Sequence, residues 1–421
     1  MARTRLSLAL PLFALAAALG TACGSGRRAP ERIVLVVIDT LRRDHVSCYG
    51  DRADTPHIDA LADRGRRYTR VYSAYHQTTM SMAAFITGRT PSLESGDPKR
   101  PITFDGRTWC GMRRFADDEK DACIPAELET LAESLRDAGY ATLGVTSNDL
   151  LYRPAGYDQG FDDWIEVGRG HTGDREKRMQ PALARAGAAV NRSVAGALDR
   201  RRSDHFFLYV HYMDVHDHAV RGMSYAEGVR EADAALGELL RLLRARKLLE
   251  GATVLVTSDH GERLGERHQI PGFGSHLGNP SYEYLLRLPL VVAPAPSEGD
   301  DSWLRGQEVF DLVRRIAGLR VASGVAELEP DEQFLSEIGW QTYRRGRWKS
   351  TFSRDSDEHA LFDLATDPGE TADVAAEHPG ILEAHRRRIA TLSQQLAAPD
   401  APESRLTDED RERLRALGYA E

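Results

Sequence analysis

The sequence predicts an α/β fold, in which a doubly wound, mostly parallel sheet is covered by helices on both faces and a small C-terminal α+β subdomain follows. Two observations predict this fold. Continuous apolar runs, which are typical of strands buried on both faces, alternate along the chain with amphipathic helical patterns. Beyond Leu328 the pattern changes to alternating residues around a tight turn, which indicates a separate small sheet.

The elements of the large domain, residues 33–328, follow from these patterns. The predicted strands are 33–38, 141–147, 205–213, 252–258 and 288–294. The predicted helices include 55–65, 128–140 and 225–249. Thr55 is the expected N-cap of the first helix, because Pro56 suits the first helical position.

The C-terminal subdomain, residues 329–421, begins with EQFLSEIGWQTYRRGRWKSTFS. This stretch predicts a hairpin that turns at Arg345 and Gly346. A charged helix is expected from 380 to about 397, and Thr407 is the expected cap of a terminal helix.

Length and charge restrict the possible functions. The chain has 421 residues, of which 41% are hydrophobic and 28% charged, so it can bury a large core. Its formal net charge of -9 offers no basic surface, and we expect no nucleic-acid partner.

The N-terminus predicts export from the cell. Arg3 and Arg5 precede an apolar run at 6–20. That run is too short to span a bilayer and is typical of a secretory signal peptide, which would cover residues 1–22.

The cysteines agree with export. The small residues before Cys23 resemble a bacterial lipoprotein cleavage box, although Gly20 stands where such a box usually has Leu. We expect a periplasmic or outer-surface lipoprotein with its lipid at Cys23 and a tether over 23–32; the alternative is ordinary secretion, with Cys23 removed or free. An oxidising compartment would let Cys110 and Cys123, which bracket a charged insertion, form a disulfide.

Residues of the metal-ligand type follow three predicted strands. They are Asp39, the group of Asp214, His216 and His218, and the pair of Asp259 and His260. The carboxyl ends of strands in a doubly wound sheet share one edge, so we expect these side chains to meet there and hold a metal. Each also has a simpler explanation, as a helix cap, a turn residue or an exposed loop histidine. An acid and an imidazole directly after an apolar strand are costly to bury unpaired, which favours the metal.

Mixed carboxylate and imidazole ligands suit zinc or manganese better than calcium or magnesium. His276 is a further candidate ligand or catalytic residue, because it lies in a Gly-rich loop between Asp259 and the strand at 288–294. His268 is a weaker candidate, expected near the site or at the surface.

Thr78 lies at the start of a short apolar helix, predicted over 80–87 with Gly88 at its end. Thr78 or Thr79 could cap this helix by accepting a backbone N–H. Thr78 could instead be a nucleophile, since the helix N-terminus and a nearby metal would both stabilise its ionised hydroxyl.

Seven segments together resemble the sulfatase branch of the alkaline phosphatase superfamily. They are IVLVVIDTLRRDHVSCYG, TPHIDALADRG, TTMSMAAFITGRTP, FFLYVHYMDVHDH, VLVTSDHGERLGE, YEYLLRLPLVV and ALFDLATDPGE, in the order seen in that family. The resemblance covers nearly the whole chain after the tether. It implies an alkaline-phosphatase-like fold and an exported hydrolase of sulfate or phosphate esters with a metal-bound hydroxyl nucleophile.

The resemblance also implies roles for single residues. The positions that match ligands of the main metal are Asp39, Asp259 and His260. Thr78 matches the nucleophile, which also contacts the metal, nine residues before Thr87. His216 matches the histidine that binds a substrate oxygen, and His276 lies near the Lys or His that follows the SDHGE motif.

The chain departs from the family at the nucleophile. Sulfatases proper have Cys or Ser within Cys/Ser-x-Pro-x-Arg and oxidise it to formylglycine, whereas TTMSM over 78–82 lacks the cysteine, the proline and the arginine. A threonine cannot become formylglycine, because its β-carbon carries a methyl group. Thr40 also replaces the second Asp of the usual Asp-Asp pair, which weakens the case for calcium.

A threonine nucleophile resembles nucleotide pyrophosphatase/phosphodiesterases, in which an Asp and a His four residues later help to hold a second metal. Asp214 and His218 have that spacing, and His276 could complete the site, so one or two ions are expected.

The expected function is metal-dependent hydrolysis of small-molecule or glycan sulfate or phosphate esters by Thr78, with phosphate mono- and diesters chemically favoured. One alternative is a sulfuric ester hydrolase that works without formylglycine. Another is an inactive sulfatase-fold protein that binds sulfated or phosphorylated ligands. A phosphoethanolamine-type transferase ranks lower, since that family usually carries several membrane helices and the sequence predicts none after the signal.

Overall fold

The fold is given by a computed structural model. It describes residues 29–92, 102–104, 107–109, 124, 126, 128–168, 182–270, 276, 280–296, 303–321, 328–337 and 339–396. Cys23, Cys110, Cys123 and Thr407 lie outside the described residues, so the lipid, the disulfide and the terminal helix stay predictions. Cys48 is a free, half-buried thiol, and burial raises its pKa to about 11.

Sixteen strands and eight α-helices are described. The strands are β1 (Arg32–Ile38), β2 (Arg66–Tyr68), β3 (Val71–Tyr72), β4 (Pro91–Ser92), β5 (Ile102–Phe104), β6 (Arg107–Trp109), β7 (Ala141–Thr146), β8 (Asp163–Glu166), β9 (Phe206–Tyr212), β10 (Ala252–Thr257), β11 (Leu290–Ala293), β12 (Leu304–Arg305), β13 (Glu332–Ser336), β14 (Trp340–Arg345), β15 (Trp348–Ser353) and β16 (His359–Asp363). The helices are α1 (Pro56–Ala62), α2 (Thr78–Thr87), α3 (Leu131–Asp137), α4 (Gly187–Arg200), α5 (Tyr225–Ala245), α6 (Glu283–Leu286), α7 (Gly306–Ile316) and α8 (Pro379–Leu396).

The main sheet has seven strands in the order β2-β11-β10-β1-β9-β7-β8. The five strands from β10 to β8 run parallel, whereas β11 is antiparallel to both β10 and β2. This arrangement confirms the predicted α/β fold with a mostly parallel sheet. It places β1 at the centre, between β10 and β9, so the carboxyl ends of these three strands are adjacent.

Helices cover both faces of this sheet. Side chains of β1 alternate between two buried clusters, with Leu35 in one and Val36 in the other. The Leu35 cluster includes residues of α2, α3 and α7, and the Val36 cluster includes residues of α1, α4 and α5. Because every residue of β1 is buried, the strand has the continuous apolar run seen in the sequence.

The C-terminal sheet is antiparallel, in the order β13-β14-β15-β16. Strands β14 and β15 form the predicted hairpin around Gly346, whose φ of +56° lies in the region that glycine tolerates best. One face of this sheet packs on α8 through Phe334 and Leu392. Its other face packs on the large domain, where Trp340 and Phe362 share a buried cluster with residues of 270–284.

The cap of α1 differs from the prediction. Thr55 occupies the N-cap position, but its side chain accepts no backbone N–H of the helix. The carboxylate of Asp233 in α5 accepts the N–H groups of His57 and Ile58 instead, at 3.1 and 2.9 Å. Among the helices that the structure describes, none is both long and apolar enough to cross a lipid bilayer.

Candidate metal centre and active site

Three side chains meet at the carboxyl end of the central strands. Asp39 follows β1, Asp259 follows β10, and His211 lies inside β9. One ligand atom from each lies within 4.8 Å of the others, and all three residues are fully buried. His211 pairs with Val37 across the β1–β9 ladder, so alternation puts His211 and Asp39 on the sheet face that carries α2.

The surroundings of Asp39 fix its carboxylate. His211 Nε2 lies 2.9 Å from Asp39 Oδ2, and Asn148 Nδ2 donates to the same oxygen at 2.6 Å. His211 Nδ1 contacts the Tyr209 hydroxyl at 2.7 Å, and burial raises the pKa of that hydroxyl well above its usual range. The Asp39 carboxylate can only accept, so His211 Nε2 carries the ring proton and Nδ1 accepts from the Tyr209 hydroxyl. His211 thus orients Asp39 rather than offering a free lone pair.

The charge of Asp39 is stabilised by imidazoles. Burial works to raise the pKa of Asp39. The hydrogen bond from His211 and the charge of His216 outweigh burial, and the pKa of Asp39 falls below its usual range. Asp39 is therefore a carboxylate in the folded protein.

One carboxylate oxygen of Asp259 accepts hydrogen bonds, and the other accepts none from the residues that the structure describes. Its Oδ1 accepts the backbone N–H groups of Thr40 and His260, at 3.1 and 2.9 Å. Thr40 has a φ of +57°, and its hydroxyl donates to the Asp39 carbonyl at 2.7 Å. Thr40 therefore supplies a backbone donor at this site, where the family pattern has a second carboxylate.

A divalent cation fits these residues. Asp39 Oδ1 and Asp259 Oδ2 are buried and have no hydrogen-bond partner among the residues that the structure describes. His260 Nδ1 lies 2.9 Å from the Gly261 carbonyl, which can only accept, so His260 Nε2 carries a lone pair. Buried carboxylate oxygens without a donor are costly, and two of them beside an imidazole lone pair form a suitable ligand set.

Thr78 is the first residue of α2 and is fully buried. Its Oγ1 lies 3.3 Å from His260 Nε2, 3.4 Å from Asp39 Oδ2 and 3.4 Å from Asn148 Nδ2. The cap of α2 is Gln77, whose side chain accepts the N–H of Met80 at 3.3 Å. The cap explanation of Thr78 and Thr79 is therefore corrected, because their hydroxyls make other contacts.

Two serines join α2 to the Asp259 loop. Ser73 Oγ and Ser81 Oγ both donate to the Asp259 carbonyl, at 2.5 and 2.6 Å. Their oxygens lie 2.9 Å apart. This shared contact holds the helix that carries Thr78 in register with the loop that carries Asp259 and His260.

His276 and His216 lie along one side of the cluster. The His276 ring centroid is 4.9 Å from that of His260 and 6.0 Å from that of His216. His276 Nδ1 lies 3.5 Å from Glu262 Oε1, yet burial keeps the pKa of His276 below its usual value. His268 lies elsewhere, stacked on the Tyr282 ring at 3.7 Å.

His216 is held by a neighbouring carboxylate. Its Nδ1 lies 3.1 Å from Asp217 Oδ1. Burial opposes the charged ring, but the hydrogen bond to Asp217 and the charge of Asp39 outweigh it and raise the pKa of His216 to about 9.

Asp214 and His218 do not join this cluster, contrary to the sequence-based expectation. Asp214 Oδ1 accepts the N–H of Gly187 at 3.0 Å and pairs with Arg221 at 3.2 Å. His218 contacts the Val215 carbonyl at 2.9 Å and the Tyr225 ring. Asp214 lies two residues beyond the end of β9, and its contact with Gly187 directs it towards α4, on the opposite side of the sheet from Asp39.

The sequence of the large domain matches a known family. The sequence model named Sulfatase matches residues 31–308. The chain belongs to the sulfatase family. The N-acetylgalactosamine-6-sulfatase of Sus scrofa is 29% identical over 301 residues, which cover 62% of this chain and 55% of that protein. The Homo sapiens protein of the same name is 27% identical over 277 residues, covering 57% and 52%. This sulfatase-family chain thus spans about half the length of these curated relatives.

Solved structures share the fold of this sulfatase-family chain. The phosphonate monoester hydrolase of Agrobacterium radiobacter has a TM-score of 0.61 at 16% identity, covering 90% of this chain and 100% of that chain. A protein solved with its substrate D-glucosamine-2-N,6-O-disulfate has a TM-score of 0.62 at 15% identity, covering 88% and 98%. At such identities the likeness concerns the fold alone.

Two residues of the site were missed by the sequence reasoning. His211 carried a signal, since an imidazole inside a fully apolar strand needs a partner. Asn148 follows β7 as Asp39 follows β1, but a neutral amide does not mark a metal site. The arginine of the family motif Cys/Ser-x-Pro-x-Arg is replaced by Met82 in this sulfatase-family chain. Met82 is buried in the same core cluster as Tyr209.

Proposed function

We propose that the chain is a metal-dependent hydrolase of sulfate or phosphate esters, with Thr78 as its nucleophile. One observation carries the proposal: Thr78 Oγ1 lies 3.3 Å from His260 Nε2 and 3.4 Å from Asp39 Oδ2, beside two buried carboxylate oxygens that have no donor among the described residues. Gln77 caps α2, so Thr78 is not needed as a cap.

The ligands of the ion are Asp39, Asp259 and His260. When bound, a divalent cation lowers the pKa of the Thr78 hydroxyl and neutralises charge on the non-bridging oxygens of the substrate. We propose one ion, because Asp214 and His218 contact other elements. Two carboxylates and one imidazole favour zinc or manganese over calcium.

The first step forms a covalent ester on Thr78. Thr78 Oγ1 loses its proton to Asp39 Oδ2, which lies 3.4 Å away and is not the oxygen assigned to the ion, and attacks sulfur or phosphorus. The N-terminus of α2 stabilises negative charge beside the attacking oxygen. Asn148 Nδ2, which lies 3.4 Å from Thr78 Oγ1, is placed to donate to a non-bridging oxygen.

The bond to the alcohol then breaks. Its electron pair goes to the alcohol oxygen, which takes a proton from His216, and the alcohol leaves. In the second step water attacks the ester on Thr78 and gives a proton to His216. The bond from sulfur or phosphorus to Thr78 Oγ1 breaks, Oγ1 takes back its proton from Asp39, and sulfate or phosphate is released. His276, whose ring centroid lies 4.9 Å from that of His260 and 6.0 Å from that of His216, binds the non-bridging oxygens.

The ester class follows from the threonine. The methyl group on its β-carbon rules out the aldehyde chemistry of formylglycine, so Thr78 acts directly as an alcohol. Direct attack by a hydroxyl suits phosphate mono- and diesters best, and sulfate esters remain the second class to test. The names of the relatives favour a glycan ester, since one acts on N-acetylgalactosamine and another binds a glucosamine disulfate.

Three 4-nitrophenyl substrates test the proposal: the sulfate, the phosphate and the bis-ester of phosphate. Each is assayed with purified protein alone and with zinc, manganese or calcium. We expect phosphoester turnover that needs the added ion, and a loss of at least about 10³-fold in Thr78→Ala. Mass spectrometry of quenched wild-type protein should find the adduct on Thr78.

Thr87→Ala is the matched control. Thr87 is a buried threonine at the far end of α2, and its hydroxyl donates to the Ala83 carbonyl at 2.7 Å. The Thr87→Ala variant should lose some stability but keep the turnover of wild-type protein. Turnover of no ester by wild-type protein, with no ion bound after dialysis, would instead support the inactive binding protein.

We also propose that the protein is exported and anchored by a lipid at Cys23. The signal-like run before Cys23 supports this proposal. Full-length protein should fractionate with membranes, and Cys23→Ser should appear in the soluble fraction or fail to be processed. Equal membrane association of both forms, each with its signal peptide removed, would refute the anchor.

A further inference from the structure

A buried network of charged residues lies beside the proposed site. Arg185 precedes α4, and its Nε and Nη2 donate to both oxygens of Asp217, at 2.5 and 2.6 Å. Its Nη1 donates to Asp149 Oδ2 at 3.0 Å. Arg185 is 6% exposed and Asp217 is 2% exposed, so water hardly reaches this bidentate contact.

The network ends at His216. Asp217 Oδ1, already bound by Arg185, also lies 3.1 Å from His216 Nδ1. A carboxylate only accepts, so Nδ1 carries the proton of this hydrogen bond. The contact fixes the rotation of the ring. It leaves Nε2 as the nitrogen that can face a substrate, since the hydrogen bond of His216 within the described part of the chain uses Nδ1.

The network connects three loops around the site. Asp149 follows Asn148, which bonds Asp39 and contacts Thr78. Asp217 belongs to the loop after β9, and Arg185 to the segment before α4. Buried ion pairs contribute little net stability compared with well-packed apolar residues. Both oxygens of Asp217 are also satisfied by Arg185 alone, so the contact with His216 is an additional feature.

We propose that Asp217 and Arg185 are positioning residues, which hold His216 so that its Nε2 donates the proton to the leaving alcohol. This inference rests on the proposed function. In the step concerned, the bond from sulfur or phosphorus to the alcohol oxygen breaks, the oxygen keeps the electron pair, and the Nε2 proton moves to it. Asp217 keeps Nδ1 bonded throughout, and Arg185 keeps the plane of the Asp217 carboxylate fixed.

Leaving-group dependence tests the inference. The variants are His216→Gln, Asp217→Asn and the double variant. Each is assayed with a 4-nitrophenyl ester, whose leaving group needs no proton, and with the matching alkyl ester, whose leaving group does. For the alkyl ester we expect both single variants to lower kcat/KM by about 10²-fold, mainly in kcat. For the 4-nitrophenyl ester the loss should stay below about 10-fold.

The double variant separates positioning from structure. If Asp217 acts through His216, the double variant should lose no more than His216→Gln alone. Arg185→Lys keeps the positive charge but cannot hold both oxygens, so it should show a smaller loss with the same leaving-group dependence. Arg185→Lys also keeps the test decisive should Asp217→Asn fail to fold.

Asp199→Asn is the control, because it removes one partner of an exposed ion pair with Arg246 at 3.1 Å. This variant should keep the wild-type kcat/KM for both esters. Equal losses on both esters, or additive losses in the double variant, would overturn the inference while Thr78-dependent turnover remained. A wild-type protein that hydrolyses neither ester would overturn the proposed function and this inference together.

Discussion

Asp259 has one carboxylate oxygen with two backbone donors and one with none among the described residues. Asp39 is similar, since His211 and Asn148 both bind its Oδ2 and leave Oδ1 bare. These two bare oxygens make the site unfavourable without a cation and favourable with one. Single residues here therefore have opposite effects on folding and on metal binding.

Asp259→Asn should abolish metal binding without destabilising the metal-free protein. The amide keeps an oxygen for the two N–H groups of Thr40 and His260 and removes a buried charge. In chelator, its free energy of unfolding should equal or exceed that of wild type. With zinc or manganese at about 100 times Kd, wild type alone should gain about 2.7 kcal/mol. Urea unfolding with and without the ion measures both effects.

Asp214→Asn is the matched control for that experiment. Asp214 also follows a strand of the main sheet, but it bonds Gly187 and Arg221. Its metal content should equal that of wild type. A loss of metal in Asp214→Asn, or an ion-dependent gain in Asp259→Asn, would contradict the ligand set.

Gly261 is required by close backbone packing directly after His260. A Cβ at this position would lie 1.8 Å from the Tyr284 carbonyl oxygen of α6. Gly261→Ala should therefore displace the Asp259–His260 turn, cost about 1–3 kcal/mol of unfolding free energy and weaken metal binding. In Gly380→Ala, where a Cβ in α8 would contact nothing, stability should stay equal or rise by up to about 1 kcal/mol. Thermal unfolding and metal titration of the two variants test this.

At the scale of elements, α2 is held from two sides. The Asp259 carbonyl accepts hydrogen bonds from the hydroxyls of Ser73 and Ser81. The side-chain amide of Gln333 in β13 donates to the Ser73 carbonyl at 2.8 Å. His76, just before α2, bonds Glu337, just after β13. The C-terminal sheet thus contacts the segment that leads into Thr78, so its stability bears on the site.

Glu337→Gln should be tolerated, whereas Glu337→Ala should not. Burial raises the pKa of Glu337 well above its usual range, so the side chain is a neutral acid that an amide can replace. Glu337→Ala would leave His76 Nε2 buried without its partner and cost about 1–3 kcal/mol of unfolding free energy. Urea unfolding of both variants checks this. Equal losses in the two would mean that Glu337 is ionised.

For the whole molecule, the sequence predicted the sheet and the helices that cover it. It did not predict which side chains of distant elements contact each other. The apolar runs of β1, β9 and β10 identified the sheet, and the acids after β1 and β10 identified its functional edge. His211 was missed because it lies inside β9 rather than after it. Asp214 was assigned to the metal, but it contacts Gly187 of α4 on the opposite face of the sheet. The capping of α1 by Asp233 could not be predicted from the sequence, because 175 residues separate Asp233 from Ile58.

The C-terminal layer predicts how global stability responds to acid. His385 of α8 is buried beside β14 and β15, with its Nδ1 2.7 Å from the Ser350 hydroxyl. Burial and the charge of Arg345 lower its pKa to about 4, although Glu332 acts in the opposite direction. Glu332 stays ionised over the relevant range, because hydrogen bonds from Arg388 and Tyr343 outweigh burial and lower its pKa to about 2.

His385→Asn should therefore reduce the acid sensitivity of the fold. The unfolded chain protonates this histidine near pH 6.5 and the folded chain only near 4, so the unfolded state binds more protons between them. The contribution of His385 to the free energy of unfolding is fully present above pH 6.5. It falls with decreasing pH, by at most about 1.4 kcal/mol per pH unit. Urea unfolding from pH 7.5 to 4.5 should show a shallower decline for the variant. Parallel curves for the two proteins would mean that His385 has the same pKa in the folded and unfolded states.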